Sequence, residues 1–429
     1  MVWLMVAAGL LVMAVTGVPV GIALGLTGLA ILHFLAGGGE VLAITAVWNV
    51  LTDFVLSAGL LFIFMGECLL FSGLSRRLYN AVTPIFQRLP GGLLHTNIAV
   101  CTMFGAVCGA STATAAAVGS VAYPELSRRG YDRPEVLASL AAGGTLGLLI
   151  PPSLSLLIYG ATQSVSIGDL FIAGIIPGLF YSLMFMMLIY FRARRNAALC
   201  PVEQTRPPWG RVAGDLLRLW PFALLVFSVL GTIYLGIATT TEAASLGVFA
   251  AIAIGFLWGD LRVADLVRAF RSGTAVMGSI APVFIGALIL AQAISILGVP
   301  TQIVGIITDL QVSKYAVFGI VVLIYLVLGC FFDGISMMLM TLPVVFPVMT
   351  RLGFDPVWLG VMITILVEIG MLTPPVGMNL YVLVAISRGE VTLAEAARAA
   401  IPYWGVLLAG LVVMTMVPSI ILFLPRMFH

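Results

Sequence analysis

Long apolar stretches separated by short polar turns recur along nearly the whole sequence, and this pattern predicts helices that cross a membrane. A transmembrane helix needs about 20 apolar residues. The first stretch lacks the basic start and the small-residue cleavage site of a signal peptide, so we interpret it as a helix. We predict crossings at residues 1–16, 18–36, 44–72, 136–162, 168–191, 219–238, 241–258, 274–297, 357–386 and 400–424.

Two further apolar segments, residues 91–123 and 315–348, do not fit this scheme. Each is too long for one straight crossing and too continuous for two full crossings joined by a turn. Each also has a polar break near its centre, at residues 108–112 and 331–336. Because non-helical backbone at membrane depth is tolerated only inside protein or beside a water-filled cavity, we predict two re-entrant helical hairpins whose tips face a central site.

The stretches that begin at Pro124 and Pro347 form an internal repeat with a constant spacing of 223 residues and no gap. Each contains a charged linker followed by a long helix that a Pro-Pro pair breaks. Ordinary glycine and proline kinks are the simpler alternative, but they do not explain the shared spacing. The matching pairs are Arg128 with Arg351, Gly130 with Gly353, Asp132 with Asp355, Gly147 with Gly370, and Pro151-Pro152 with Pro374-Pro375.

Composition and charge agree with a membrane protein. Hydrophobic residues make up 61% of the 429 residues and charged residues only 9%, whereas a soluble domain carries about 25% charged residues. If the N-terminus lies outside, 17 of the 20 basic residues are cytoplasmic, and only Lys314, Arg351 and Arg426 are not. The positive-inside rule favours this orientation. It places the two repeats in opposite orientations, which is typical of secondary transporters.

These observations predict an all-α polytopic membrane protein with an inverted repeat. Residues 1–191 form the first repeat, residues 192–218 a basic cytoplasmic linker, and residues 219–429 the second repeat. Amphipathic stretches at residues 75–89 and 298–312 precede the hairpins. We interpret them as interfacial arms that carry each hairpin as a rigid unit; plain surface loops are the alternative.

The breaks supply the candidate chemistry, because interrupted helices leave N–H and C=O groups unpaired. Hydroxyl, carbonyl and carboxylate oxygens suit Na⁺, so we predict two pseudo-symmetric Na⁺ sites with substrate between them. In the alternative, the hydroxyls bond back to their own helices. The candidate Na⁺ ligands are Gly109, Ser111, Thr112, Gly143, Gly144, Thr145, Asp333, Ser336, Gly370, Thr373 and Asn379, with Thr341 nearby. The candidate substrate-binding residues are Ser111, Thr112, Thr114, Pro152, Ser336 and Pro375.

Four acidic residues lie within or beside apolar stretches, where charge is costly and often functional. Asp333 is the sharpest candidate, and the alternative is an aspartate that caps the second hairpin arm. We interpret Glu67 and Glu242 as structural, with Glu242 in a capping-box-like helix start. Glu368 either serves the ion site or orients Asn379. Because no Lys or Arg lies in the predicted core, an anionic substrate would need helix N-termini and bound cations, which favours cation co-transport.

The cysteines and histidines do not support an enzyme. No cysteine pair has metal-ligand or redox spacing, and the histidines are isolated. An intramembrane enzyme would need a catalytic dyad or a metal cluster, and a purely structural subunit would leave the polar breaks without a role. The residues concerned are Cys68, Cys101, Cys108, Cys200, Cys330, His33, His95 and His429.

Several strings resemble the large membrane subunit of tripartite ATP-independent periplasmic (TRAP) transporters, and the similarity covers essentially the whole chain. Two departures occur: FFDGIS lacks the proline that commonly follows the aspartate, and TTTEAA replaces TPTEAA. The polar side chains remain in place. The strings are GVPVGIALGLTG, FGAVCGASTATAAAVGSVAYPELSRRGYDRP, AAGGTLGLLIPPSLSLLIYG, TTTEAASLG and EIGMLTPPVGMNLYV.

The resemblance implies an elevator-type carrier of the ion-transporter superfamily kind, driven by Na⁺, in a bacterial inner membrane. It implies two partners, a small four-helix membrane subunit and a periplasmic binding protein, and no role for nucleic acid. The expected substrate is a carboxylate such as a C4-dicarboxylate, a sialic acid, or another sugar or keto acid.

The resemblance also locates the site. The family's hairpin tips would fall on residues 109–112 and Asp333, and its breaks on residues 143–152 and 370–379. No extra helices precede the first crossing, so we expect the small subunit to be a separate chain. A stand-alone Na⁺/dicarboxylate or arsenite-type carrier without a binding protein is the alternative.

Overall fold

The computed structural model describes residues 2–52, 54–196, 199–201, 208–375 and 377–428, and all regular structure in these ranges is helical. The first ten helices are α1 (Val2–Thr16), α2 (Val20–Phe34), α3 (Glu40–Thr52), α4 (Phe54–Phe71), α5 (Leu74–Phe86), α6 (Leu93–Cys108), α7 (Ser111–Arg128), α8 (Arg133–Thr145), α9 (Leu154–Gln163) and α10 (Ile167–Arg195). A 3₁₀ turn, Leu146–Leu148, extends α8.

The remaining helices follow the same pattern of long and short segments. They are α11 (Trp209–Leu217), α12 (Trp220–Val226), α13 (Thr232–Tyr234), α14 (Thr240–Leu257), α15 (Val263–Ile296), α16 (Val299–Asp309), α17 (Lys314–Gly329), α18 (Gly334–Arg351), α19 (Pro356–Leu372), α20 (Met378–Ile386), α21 (Leu393–Met416) and α22 (Ser419–Phe428). A π-helical turn, Phe227–Gly231, joins α12 to α13.

Five of the described helices, α10, α14, α15, α18 and α21, are long and apolar enough to cross a membrane. A sixth crossing results if α3 and α4, which meet at a bend of 47°, are counted as one span. Large apolar side chains on the outer helices are exposed, for example Leu26 (60%) on α2 and Leu257 (86%) on α14. Such surfaces suit lipid or a partner in the membrane, so the protein is a multi-pass helical membrane protein.

The centre of the molecule is built from the broken segments. Nearly every residue of α8 is buried, and so is every residue of α19 from Trp358 to Leu372. Both helices begin at an aspartate cap followed by an early proline: Asp132 accepts a hydrogen bond from the amide of Glu135, and Asp355 from the amide of Trp358. This is a favoured way to start a helix, so the sequence fixes where both central segments begin.

Matching features recur at the spacing seen in the sequence. Helices α7 and α18 are each 18 residues long and begin 223 residues apart. The glycines in the turns that follow them have left-handed backbones, with φ of 80° at Gly130 and 84° at Gly353. The arms α5 and α16 also each follow a left-handed glycine, Gly73 and Gly298, although these lie 225 residues apart, two more than the repeat spacing.

The first arm is tied to its hairpin by buried hydrogen bonds. The hydroxyl of Tyr79 on α5 donates to Asn97 Oδ1 on α6 at 3.0 Å, and Asn97 Nδ2 donates to Ser139 Oγ on α8 at 3.0 Å. The stretch at residues 75–89 is therefore a packed helix up to Phe86 and not a plain surface loop. Residues 299–309 are likewise helical.

Several helix bounds differ from the predicted ones. The crossing predicted at residues 44–72 corresponds to α3 and α4, which together pass as one span bent by 47°, and the one predicted at 400–424 corresponds to α21 followed by α22, with Pro418 between them. Helix α15 begins 11 residues before its predicted start. The linker predicted at residues 192–218 contains the end of α10 and helix α11; residues 197–198 and 202–207 of it lie outside the described part.

Candidate functional site

The tip of the first hairpin, Gly109 and Ala110, packs directly on the first proline break. Gly109 has a φ of 65°, a left-handed value that lets the chain reverse between α6 and α7. Its carbonyl oxygen accepts a hydrogen bond from the amide of Leu154, the first residue of α9, at 3.1 Å. A Cβ atom at Gly109 would lie 2.7 Å from the carbonyl oxygen of Pro152, so only glycine fits there without a shift.

Small residues bring the broken segment against the hairpin. A Cβ atom at Gly147 would lie 2.7 Å from Thr114 Oγ1, and one at Gly144 would lie 2.7 Å from Ala115 Cβ. Thr114 is fully buried. Its hydroxyl oxygen has no oxygen or nitrogen partner among the described residues, and the only polar group known to lie beside it there is the thiol of Cys108, which is a weak hydrogen-bonding group. A buried hydroxyl without a partner is costly, so this atom is a candidate ligand.

Asn379, near the start of α20, reaches across to the first tip. Its Nδ2 donates to Ser111 Oγ at 2.6 Å and to the carbonyl oxygen of Ala141 at 3.2 Å. The side chain is fully buried, and its Oδ1 has no hydrogen-bond partner among the described residues. From its position in the sequence, Asn379 was expected to belong to the second break. Its side chain instead contacts the tip of the first hairpin and the first broken helix.

Two helix N-termini therefore converge at this point. Helix α7 begins at Ser111 after Ala110, and α20 begins at Met378 after Gly377, and neither has a side-chain cap. The first N–H groups of a helix lack intrahelical partners and carry a partial positive charge. Their convergence is therefore a candidate anion-binding position built from main chain, and none of the residues that form it is basic.

The second tip, residues 330–333, is more exposed. Cys330 Sγ donates to the carbonyl oxygen of Pro374 at 3.2 Å, so this tip also packs on its own proline break. Phe331 is 68% exposed. Asp333 is exposed as well, and its carboxylate caps α18 by accepting a hydrogen bond from the amide of Ser336 at 3.1 Å. The capping interpretation of Asp333 is confirmed.

Most hydroxyl groups around the second break already have partners. Thr373 Oγ1 donates to the carbonyl oxygen of Ile369 at 2.6 Å and accepts from Trp404 Nε1 at 3.1 Å. Thr341 donates to the carbonyl oxygen of Met337 at 2.9 Å and contacts the hydroxyl of Tyr325.

Direct contacts join only part of the predicted ligand set. At the first tip, Gly109 packs on Pro152, Gly144 on Ala115 beside Thr114, and Asn379 bonds to Ser111. Around the second tip the contacts are local: Asp333 bonds to Ser336, and the amide of Thr373 to the carbonyl oxygen of Gly370. For Thr145 the alternative interpretation is correct, because its hydroxyl bonds back to its own helix and donates to the carbonyl oxygen of Ala142 at 2.7 Å. Pro152 is buried, whereas Pro375 is exposed.

The other acidic residues take different roles. Glu242 forms a capping box with Thr239, which confirms its structural interpretation. Glu67 is buried on α4, and its Oε2 has no partner among the described residues. Glu368 is fully buried, and neither of its carboxyl oxygens hydrogen-bonds to a described residue. It therefore does not orient Asn379. No group of three or more His, Cys, Asp and Glu residues that could hold a metal occurs in the described part of the chain.

Sequence reasoning missed two buried polar links. Ser155 on α9 hydrogen-bonds to Thr364 on α19 at 3.1 Å, which joins the two broken helices. Glu135 on α8 accepts from Tyr403 at 2.8 Å and pairs with Arg192 at 2.9 Å. A single polar residue in an apolar helix signals such interhelical bonds, but it does not identify the partner.

Comparisons with known proteins agree with this architecture. Residues 7–420 match the family described as "Tripartite ATP-independent periplasmic transporter, DctM component". The chain is 32% identical to the C4-dicarboxylate TRAP transporter large permease protein DctM of Pseudomonas aeruginosa, over 85% of this chain and 84% of that protein. It is 35% identical to the ectoine/5-hydroxyectoine TRAP transporter large permease protein UehC of Ruegeria pomeroyi, with 85% and 84% covered.

Among solved structures, the YdaH transporter of Alcanivorax borkumensis has the same overall fold. The TM-score is 0.59 at 16% identity, with 89% of this chain and 88% of that chain covered. The fold, together with the match to a transporter family over residues 7–420, defines a multi-pass membrane transport protein. The chain belongs to the DctM family, the large permease component of tripartite ATP-independent periplasmic transporters. The matched relatives are permeases and not enzymes.

Proposed function

We propose that this permease imports a small organic acid together with Na⁺, and that a periplasmic binding protein delivers the acid. The observation that carries the proposal is the convergence of α7 and α20 through Asn379 and Ser111. It places two uncapped helix N-termini beside buried oxygen atoms that lack partners.

The carboxylate of the substrate would bind where the two N-termini meet. Helix N-termini bind anions because their free N–H groups point at the ligand and the helix dipole favours negative charge. Half-helix N-termini serve anionic substrates in this way in other secondary transporters. Asp333 lies on the second tip, where it is exposed, so its negative charge is not part of this anion-binding position.

Na⁺ would bind beside the substrate, where oxygen atoms are available. Thr114 Oγ1 and Asn379 Oδ1 are buried without oxygen or nitrogen partners among the described residues. The carbonyl groups of Gly143 and Gly144 accept the amide of Leu146 at the end of α8, so they would bind the cation through their second lone pairs. A bound cation would offset the charge of the carboxylate and the cost of the unpaired oxygens. This arrangement makes the cation and the acid depend on each other.

The matching helices support a further part of the proposal, an inverted repeat with two re-entrant hairpins and an elevator mechanism. Helices α7 and α18 correspond in length and spacing, and the distribution of basic residues places them in opposite orientations with the N-terminus periplasmic. The bonds from Tyr79 to Asn97 and on to Ser139 would let arm, hairpin and broken helix move as one body.

The relatives narrow the partners and the substrate. The matched family is tripartite, so we propose a small membrane subunit and a periplasmic binding protein as partners in a bacterial inner membrane. The relatives' names include a C4-dicarboxylate and an ectoine permease. A C4-dicarboxylate is therefore our first candidate substrate, and a sialic acid or another sugar or keto acid remains within the proposed class.

The test is uptake of radiolabelled succinate into proteoliposomes that contain the permease with its small subunit and binding protein. We expect uptake with an inward Na⁺ gradient and none when choline replaces Na⁺. We also expect uptake to stop when the binding protein is omitted. Uptake without Na⁺ would contradict the coupling, and undiminished uptake without the binding protein would favour a stand-alone carrier.

A further inference from the structure

A polar cavity lies at the far ends of α7 and α20, away from the hairpin tips. Its volume is about 860 Å³. It lies between the last turns of α7, the start of α8 and the loop that follows α20. Its polar lining consists of Ser120, Tyr123, Ser127, Arg128, Arg133, Ser387, Arg388 and Glu390.

The cavity is connected to the first tip by a pair of helices that run side by side. Asn379 bonds to Ser111 at one end of the pair, and the Tyr123 hydroxyl donates to Glu390 Oε2 at 2.7 Å at the other. Ser111 and Tyr123 are 12 residues apart, which corresponds to about 18 Å of helix. Between them the helices touch closely, because a Cβ atom at Gly119 would overlap the side chain of Leu383.

The charges of the cavity are unbalanced, with three arginines facing one glutamate. Glu390 Oε2 lies 3.8 Å from Arg133 Nε, and Arg128 pairs with Glu125 outside the cavity. The Arg388 guanidinium has no hydrogen bond or ion pair with any described residue. Its backbone is left-handed, with a φ of 54°, a conformation that arginine rarely adopts and that marks functional positions in other proteins.

We propose that this cavity binds a small carboxylate and receives the transported acid as it leaves the core. Arg388 and Arg133 hold the carboxylate by charge-assisted hydrogen bonds, and the buried hydroxyl of Ser127 adds a neutral donor. Glu390 competes with the ligand, because its carboxylate accepts the hydrogen bond of the Tyr123 hydroxyl and lies 3.8 Å from Arg133 Nε. The role in release rests on the proposed function, whereas binding to the cavity does not.

The experiment measures the rate at which phenylglyoxal modifies individual arginines of the purified transporter complex, followed by mass spectrometry. Arg76 on α5 is the internal control, because it is exposed, lies outside the cavity and has no ion pair with the described residues. We expect succinate, at about twice its dissociation constant, to slow modification of Arg388 about threefold. Arg76 should react at an unchanged rate. Equal protection of both arginines, or of neither, would overturn the proposal.

Two further measurements identify the chemical class of the ligand and the role of Glu390. Inorganic phosphate at the same concentration should protect Arg388 less than succinate does; equal protection would overturn the assignment to a carboxylate. Glu390→Gln removes the competitor, so the succinate concentration for half-protection should fall about two- to fivefold. An unchanged concentration would contradict the role of Glu390. Because modification needs no transport, a failure of Na⁺-driven uptake would leave this result standing, and the reverse also holds.

Discussion

The two hairpin tips are built on one plan but differ in what covers them. Both pack on a proline break, through Gly109 at the first tip and Cys330 at the second. The first tip is buried and is completed by Asn379 from the other half of the chain. At the second tip, Phe331 and Asp333 are exposed, and the carboxylate of Asp333 caps the helix that follows it, α18.

This difference indicates that the sequence repeat and the contacts between the two halves determine different properties of the tips. The repeated sequence specifies the helix lengths and turns, whereas contacts between the halves decide which oxygens remain unpaired. At the first tip, Thr114 and Asn379 each keep a buried oxygen without a partner; at the second, Thr373 and Asp333 already have partners. We therefore expect Na⁺ and the substrate carboxylate to depend more on the first tip. Of the four predictions below, the first tests the shared plan and the other three test this difference.

The largest expected effect is on stability, and it should be shared by both hairpins. Gly105 in α6 and Gly329 in α17 face Gly147 and Gly370, and a Cβ atom at either position would approach the opposing Cα atom more closely than real Cβ atoms do. Replacing either glycine with alanine should destabilise the protein by about 1–3 kcal/mol. Thermal unfolding of the purified complex measures it.

Gly319→Ala is the control for these variants, because a Cβ atom there would meet nothing within 4 Å. It should leave stability unchanged or raise it slightly, since alanine favours helix more than glycine does. If only one of Gly105→Ala and Gly329→Ala lowered stability, the close backbone contact of Gly105 with Gly147 would not be equivalent to that of Gly329 with Gly370.

The second prediction concerns the link between the halves. Asn379→Ala removes hydrogen bonds to Ser111 and Ala141 and leaves buried polar groups unpaired, a loss of about 1–3 kcal/mol. We expect Na⁺-driven uptake to fall about tenfold or more. Asn80→Ala, at an exposed asparagine on α5, is the matched control. Normal uptake by Asn379→Ala would refute the assignment of the site to the first tip.

Thr114→Val separates an ion ligand from a structural hydroxyl. Because Thr114 Oγ1 is a buried hydroxyl without an oxygen or nitrogen partner among the described residues, replacing it with a methyl group should not lower stability without Na⁺ and should raise it by up to about 1–3 kcal/mol. The Na⁺ concentration for half-maximal uptake should nevertheless rise about fivefold. Thr350→Val, at a hydroxyl bonded to its own helix, is the control. The ligand role fails if both variants need the same Na⁺ concentration.

The smallest effect is expected at the second tip. Asp333→Asn should preserve the cap on α18, because asparagine caps helices about as well as aspartate. If Asp333 is an ion ligand, the variant also lowers Na⁺ affinity, and we expect a change of about twofold, smaller than for Thr114→Val. Na⁺ titration of uptake measures it. If Asp333→Asn raised the Na⁺ requirement more than Thr114→Val does, the second tip would contribute more to Na⁺ binding than the first, contrary to this account.

Local features were largely predictable from the sequence. The polar tips predicted interruptions near residues 108–112 and 331–336, and the proline pairs predicted them at 151–152 and 374–375; the structure breaks the helices at all four places. The cap at Asp333 and the capping box at Glu242 followed from short-range chemistry. These features depend on residues a few positions apart, where the spacing is visible in the sequence.

Long-range features were not predictable. Asn379 and Ser111 are 268 positions apart, and nothing in a single sequence pairs an amide with one hydroxyl among many. The same holds for Ser155 with Thr364. The bend between α3 and α4 and the turn before α22 were also missed, because hydropathy alone does not show where a continuous apolar stretch changes direction.

The most direct measurement is a density map of the complete transporter, determined once in NaCl and once in choline chloride. We predict a cation between Thr114 Oγ1 and Asn379 Oδ1 in NaCl only, with the starts of α7 and α20 held together. A map in NaCl that shows Asn379 bonded elsewhere and no cation at the first tip, from a preparation whose uptake requires Na⁺, would contradict this account.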